Sequence, residues 1–138
     1  MKIMVSACLL GENCKYSGGN NRDEKVLAFL DGHEVFPVCP EVMGGLSVPR
    51  PPAEIVGGKV INREGVSVDC EFRRGAQAAL DIALREKIDL AILQPRSPSC
   101  GVREIYDGTF SGRRIPGSGV FAALMKEHGF AVMDADEL

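Results

Sequence analysis

The run I-M-V-S-A-C-L-L, residues 3–10, decides the fold class. Its apolar residues follow one another almost without a break. A strand with one wet face would alternate. A continuous run of this length suits a strand covered on both faces, as in a parallel sheet. The sequence places this strand at Ile3 to Leu10.

The segments that follow alternate between strand-like and helix-like patterns. Gly11 to Asn21 is polar and glycine-rich and reads as a loop. A short helix is expected from Arg22 to Leu30, with Val26, Leu27 and Leu30 as its buried stripe and Asn20 or Asn21 as its cap. Glu34 to Cys39 is the next strand, with Pro37 arguing against a regular ladder. Pro40 to Pro52 is a shaped loop with a helical turn after Cys39. Ala53 to Val68 reads as a small hairpin turning at Gly57 and Gly58.

A long helix is predicted next, with Asp69 as its cap. Its apolar face holds Phe72, Ala76, Ala79, Leu80, Ala83 and Leu84. Asp89 to Leu93 is a short central strand. The loop from Gln94 to Gly117 carries S-P-S-C-G and a second hairpin around Asp107 and Gly108. A last helix spans Gly119 to His128, capped by Ser118 and stopped by Gly129, and Ala131 to Met133 is the final strand. Repeated strand and helix with long crossovers predicts one α/β domain over residues 1–138. Its architecture is three-layered, with a small, mostly parallel sheet flanked by helices.

Length and composition agree. The chain has 138 residues, enough for one core. Hydrophobic residues make up 45% but aromatics only 6%, so aliphatic side chains must fill that core. The formal charge of −3 argues against a general nucleic-acid binder. The pairs Arg73–Arg74 and Arg113–Arg114 are local and read as solvated faces, the second less firmly because it lies in a loop. No stretch reaches membrane-spanning length and no signal peptide is recognised. Five cysteines, an odd number, fit a reduced cytoplasmic protein better than a disulfide scaffold.

Three of those cysteines, Cys8, Cys39 and Cys100, follow predicted strands. In a parallel sheet such positions share the carboxyl edge, where ligands gather. Three thiolates without a nearby histidine favour an iron-sulfur or zinc centre over a hard cation. Each alone is also an ordinary small buried residue. Cys14, in the polar loop, or Cys70 could supply the fourth ligand of a structural zinc site, though neither has a comparable strand-end position. Cys70 reads as a packed residue at the start of the long helix, and His33 and His128 read as structural. Glu41 follows Cys39 closely enough to relay a proton or to be a first-turn helix acid. Ser97 and Ser99 flank Pro98 beside Cys100 and serve either a substrate or a turn. Asn13, Lys15 and Tyr16 are candidates for the mouth of a site.

The motifs V-S-A-C-L-L-G-E-N-C-K-Y, F-P-V-C-P-E-V-M-G-G-L-S-V-P-R and R-S-P-S-C-G resemble the DUF523 family, which includes thiouracil desulfurases. The resemblance extends over G-T-F-S-G and G-V-F-A-A-L-M, nearly the whole chain. It implies a [4Fe-4S] cluster held by Cys8, Cys39 and Cys100, with one iron left open for the sulfur of a thiolated pyrimidine. It implies a non-redox exchange of sulfur for water, with Glu41 as the proton relay and Ser97 or Ser99 as the catalytic serine. The expected substrate is free 2-thiouracil. Thiolated tRNA or another thioamide stays open as an alternative on the same cluster, as does a structural zinc protein. An exposed sheet edge or helix face would support a homodimer.

Overall fold

The structure is a computed structural model that describes residues 1–138. Its centre is a four-stranded parallel sheet in the order β2-β1-β5-β8. These strands are β1 (Lys2–Ser6), β2 (Glu34–Val38), β5 (Leu90–Leu93) and β8 (Val132–Asp134). Two antiparallel hairpins lie outside it: β3 (Ala53–Val56) with β4 (Lys59–Asn62), and β6 (Glu104–Tyr106) with β7 (Arg114–Pro116). The helices are α1 (Glu24–Leu30), α2 (Pro40–Met43), α3 (Asp69–Glu86) and α4 (Val120–Glu127). The expected three-layer α/β architecture is therefore present.

The unbroken apolar run works as the sheet requires. Met4, Ala91 and Leu93 face the α3 and α4 side, while Ile3, Val5 and Ile92 face the α1 side. Ile3, Met4 and Val5 are fully buried, each worth about 1.5–3 kcal/mol over an exposed position. Pro37 is tolerated because β2 is an edge strand, so its missing N–H leaves no neighbour without a partner.

Several local expectations need correction. β1 ends at Ser6, and residues 7–10 form a 3-10 turn closed by Gly11 in the left-handed region. The apolar character of A-C-L-L reflects burial under α1, not strand pairing. The cap of α1 is Asp23, whose carboxylate accepts from the backbone N–H groups of Lys25 and Val26. Asp69 lies inside the first turn of α3 and instead accepts from Val60 N, tying the helix to β4. Leu84 is half exposed, since the buried stripe of α3 stops at Ala83, and Cys70 is exposed rather than packed. Ser118 does not cap α4; its hydroxyl donates to Val102 O at 2.7 Å.

One contact seats the short helix α2. A Cβ on Gly75, in the middle of α3, would stand 1.6 Å from Pro40 O, and a Cβ on Gly44 would stand 1.9 Å from Glu71 O. The backbones of the two helices therefore touch directly. Arg74 reinforces the seat by donating to Gly44 O at 3.1 Å. In an ordinary helix, Gly→Ala adds up to about 1 kcal/mol of stability. Here Gly75→Ala is expected to destabilise by roughly 1–3 kcal/mol, because a backbone carbonyl must move to admit the methyl group. Chemical denaturation checks this, and a stabilised variant would contradict the contact.

Candidate functional site

Parallel strands share one carboxyl edge, and the loops leaving β1, β2 and β5 there surround a cavity of about 590 Å³. Cys8, Cys39 and Cys100 all line it, together with Glu41, Ser97 and Ser99. Cys8 sits on the 3-10 turn after β1 and Cys39 directly precedes α2. Cys100 is the seventh residue after β5. These three strands are neighbours in the sheet, so thiols from distant parts of the sequence meet.

The Cys100 loop is held at both ends. Ser6 Oγ accepts from Gln94 N at 3.0 Å as the loop leaves the sheet. Ser97 Oγ accepts from the backbone N–H of Ser99 and of Cys100, at 3.1 and 3.0 Å, so this hydroxyl closes the turn from inside. Pro98 O and Ser99 O accept from the first N–H groups of α4, replacing the side-chain cap that the helix lacks. Gly119 permits this approach, since a Cβ there would stand 2.5 Å from the Ser99 carbonyl carbon. Beyond Cys100, the buried Asp134 accepts from Val102 N, Arg103 N and Arg103 Nε.

Glu41 rests between two partners. Its Oε2 accepts from Ser99 Oγ at 2.8 Å and its Oε1 from Arg50 Nε at 3.1 Å. Acceptance at both oxygens is the pattern of a carboxylate. Ser99 Oγ also lies 3.0 Å from Ser97 Oγ and 3.7 Å from Cys100 Sγ. Its single proton goes to the shortest and charge-assisted bond, which leads to Glu41. Arg50 is 6% exposed at its side chain and also donates to Cys14 O at 2.8 Å and Ser47 O at 3.1 Å. It thereby joins the carboxylate to the loop that carries Cys14.

Burial dominates the thiols. It pushes Cys100 up to about 12, against hydrogen bonding from Ser6 and Ser99, and nearby Cys8 adds to the rise. Burial also raises Cys8, opposed by the Asn21 amide, which donates to Cys8 Sγ at 3.5 Å, and assisted by Cys39. Cys14 is pushed up as well, by burial and then by the charge of Cys39. Buried thiols become thiolates readily only beside a cation. No three His, Cys, Asp or Glu side chains gather closely enough to hold a single metal ion. The three thiols instead stand around a cavity with room for a multi-iron group. Soft donors, hydrogen bonds to two of the sulfurs and shelter from water all fit an iron-sulfur cluster.

Other expected residues divide. Cys14, Lys15 and Tyr16 line the cavity, whereas Asn13 turns away and accepts from Asn20. His33 lies 3.0 Å from the chain's terminal ammonium, and His128 Nδ1 is 3.0 Å from Leu124 O, both remote from the site. Arg50, Arg63, Phe110 and Asp134 escaped the sequence reading. Arginine eleven residues after Cys39 carries no local signal that it turns back onto Glu41.

The fold and this edge define an α/β protein with a thiol-lined cavity and a carboxylate–serine pair at its wall. A family model described as 2-thiouracil desulfurase matches residues 3–137, and the chain belongs to that family. The chain is 41% identical to the uncharacterized protein YbbK of Bacillus subtilis (strain 168), over 99% of this chain and 97% of that one. It also matches the solved structure of the [4Fe-4S]-dependent thiouracil desulfidase TudS with a TM-score of 0.93. That match is at 42% identity and covers 99% of this chain and 92% of the other.

Loss of Arg50 should expose how the carboxylate is held. Arg50→Met is expected to destabilise by roughly 3 kcal/mol, because Glu41 is left buried without its counter-charge. Adding Glu41→Gln should recover part of that loss. Strictly additive effects in a denaturation double-mutant cycle would refute the coupling.

Proposed function

We infer that this chain hydrolyses 2-thiouracil to uracil and sulfide at a [4Fe-4S] cluster held by Cys8, Cys39 and Cys100. The observation that carries the reading is the 2.8 Å bond from Ser99 to Glu41, beside Cys100 in the cavity lined by all three thiols. Family membership and the likeness to a cluster-dependent thiouracil desulfidase support the same chemistry. The net change is water in and hydrogen sulfide out. The C2–S bond breaks, a C2–O bond forms, and no electrons are exchanged.

The bound cluster supplies a soft, Lewis-acidic iron for the thiocarbonyl sulfur. The chain's own groups do the rest. Asn21 and Ser6 hydrogen-bond the sulfurs of Cys8 and Cys100 and orient two of the three ligands. Glu41 Oε2 takes the proton of the attacking water through Ser99 Oγ, which passes its own proton to the carboxylate as it accepts another. Arg50 holds Oε1 so that Oε2 stays turned toward Ser99. Ser97 keeps Ser99 and Cys100 in place through their backbone N–H groups.

The two serines therefore separate by experiment. Anaerobically loaded protein should carry about four irons and release sulfide and uracil in equal amounts. Ser99→Ala and Glu41→Gln should keep the iron and lose roughly 10²-fold in turnover. Ser97→Ala should lose iron, because the turn before Cys100 opens, and Cys8→Ser, Cys39→Ser and Cys100→Ser should lose it outright. Iron analysis beside the sulfide assay reads both effects. Fully loaded wild type without sulfide release would overturn the function, and full turnover by loaded Glu41→Gln would overturn the relay.

A further inference from the structure

The rim of the cavity carries a pair that the proton relay does not use. Arg63, just past β4, places its guanidinium carbon 5.8 Å from the centroid of the Phe110 ring, and both residues line the cavity. Arg63 is exposed and its guanidinium makes no ion pair or hydrogen bond within the protein. The other arginines that line the cavity are engaged: Arg50 with Glu41 and Arg96 with Asp136. Arg63 therefore offers free donors at the mouth, above a floor made by the buried Cys8 and Cys100.

Phe110 is held there at some conformational cost. Its φ of +56° lies in the left-handed region, uncommon for a bulky side chain. The loop stays so because Glu54, on β3 and itself 9% exposed, accepts from Gly108 N at 2.9 Å and Phe110 N at 3.2 Å through one oxygen. Strain maintained by a buried carboxylate beside a cavity marks a side chain whose placement matters.

We propose that Arg63 and Phe110 form the clamp that selects a 4-keto pyrimidine over a 4-amino one, an inference that rests on the desulfurase reading of this cavity. With its sulfur directed to the thiol floor, the ring of 2-thiouracil turns its C4 carbonyl away from the floor, toward the rim. Arg63 donates to that oxygen, and the Phe110 ring supplies an apolar face for the heterocycle. A 4-amino group presents N–H to the Arg63 guanidinium, which is itself only a donor. Guanidinium has no acceptor to offer, so 2-thiocytosine would leave both sides unpaired.

The test compares kcat/KM for 2-thiouracil and 2-thiocytosine on the cluster-loaded full chain. Wild type should favour 2-thiouracil by roughly 10²-fold or more. Arg63→Gln should bring the two within about 10-fold, since a carboxamide both donates and accepts. Phe110→Ala should raise KM for 2-thiouracil about 10-fold with a smaller change in kcat, and Phe110→Tyr should restore it. An unchanged preference in Arg63→Gln, or no preference in wild type, overturns the clamp. If loaded wild type turns over neither compound, the desulfurase reading falls, and calorimetric titration with uracil and cytosine still judges the clamp. A preference for uracil that Arg63→Gln abolishes supports it, and equal affinities overturn it.

Discussion

Two helices meet here without side chains between them. Gly44 and Gly75 let the backbone of α2 lie against that of α3, and the site inherits its precision from this contact. α2 is only four residues long and could not hold a position by itself. Pressed onto the eighteen-residue α3, it becomes part of a rigid body that packs on the sheet. Cys39 stands at its start and Glu41 in its first turn. A thiol and a carboxylate two residues apart are thus aimed into the same cavity by a contact on the opposite side of the helix.

The second demand on the structure is electrical. A carboxylate and three thiols, two of them buried, converge on one edge of the sheet, a concentration of negative charge waiting to develop. The chain meets part of it with one buried guanidinium, and Arg50 spends its donors on Glu41 and two backbone carbonyls rather than on a sulfur. No buried side-chain nitrogen or oxygen is left without a partner, so the polar wall is as complete as the apolar core. The thiols alone retain a deficit, which is the chemical invitation to a metal centre.

The fold was legible wherever burial wrote a periodicity. The continuous run through Ile3, Met4 and Val5, the stripe on α3 and the turn at Gly57 and Gly58 each named their elements. Boundaries failed where burial and pairing part company, as at residues 7–10, which are apolar under α1 but not strand. Caps failed where a distant carbonyl outbid the nearest polar side chain, as Pro98 and Ser99 did at α4. Strand-end cysteines were visible because parallel order turns three separate strand ends into one edge. Which of Ser97 and Ser99 meets Glu41 was not, since both flank the same proline and differ only in which atoms they meet across the fold. Arg50 and Asp134 act over 9 and 32 residues of sequence, on Glu41 and on the backbone after Cys100. Contacts of that range leave no local trace.

Parallel order also sets a timetable. β1 lies between β2 and β5, and the loop after β5 is fastened by Asp134 on β8, the last of the four strands in sequence. During synthesis the first thiol emerges early, yet the loop that carries the third is fastened only once β8 has been made. Long-range closure of this kind is slow compared with local helix formation. Closing the edge that carries all three thiols is consequently a late event, and Asp134 serves as its latch.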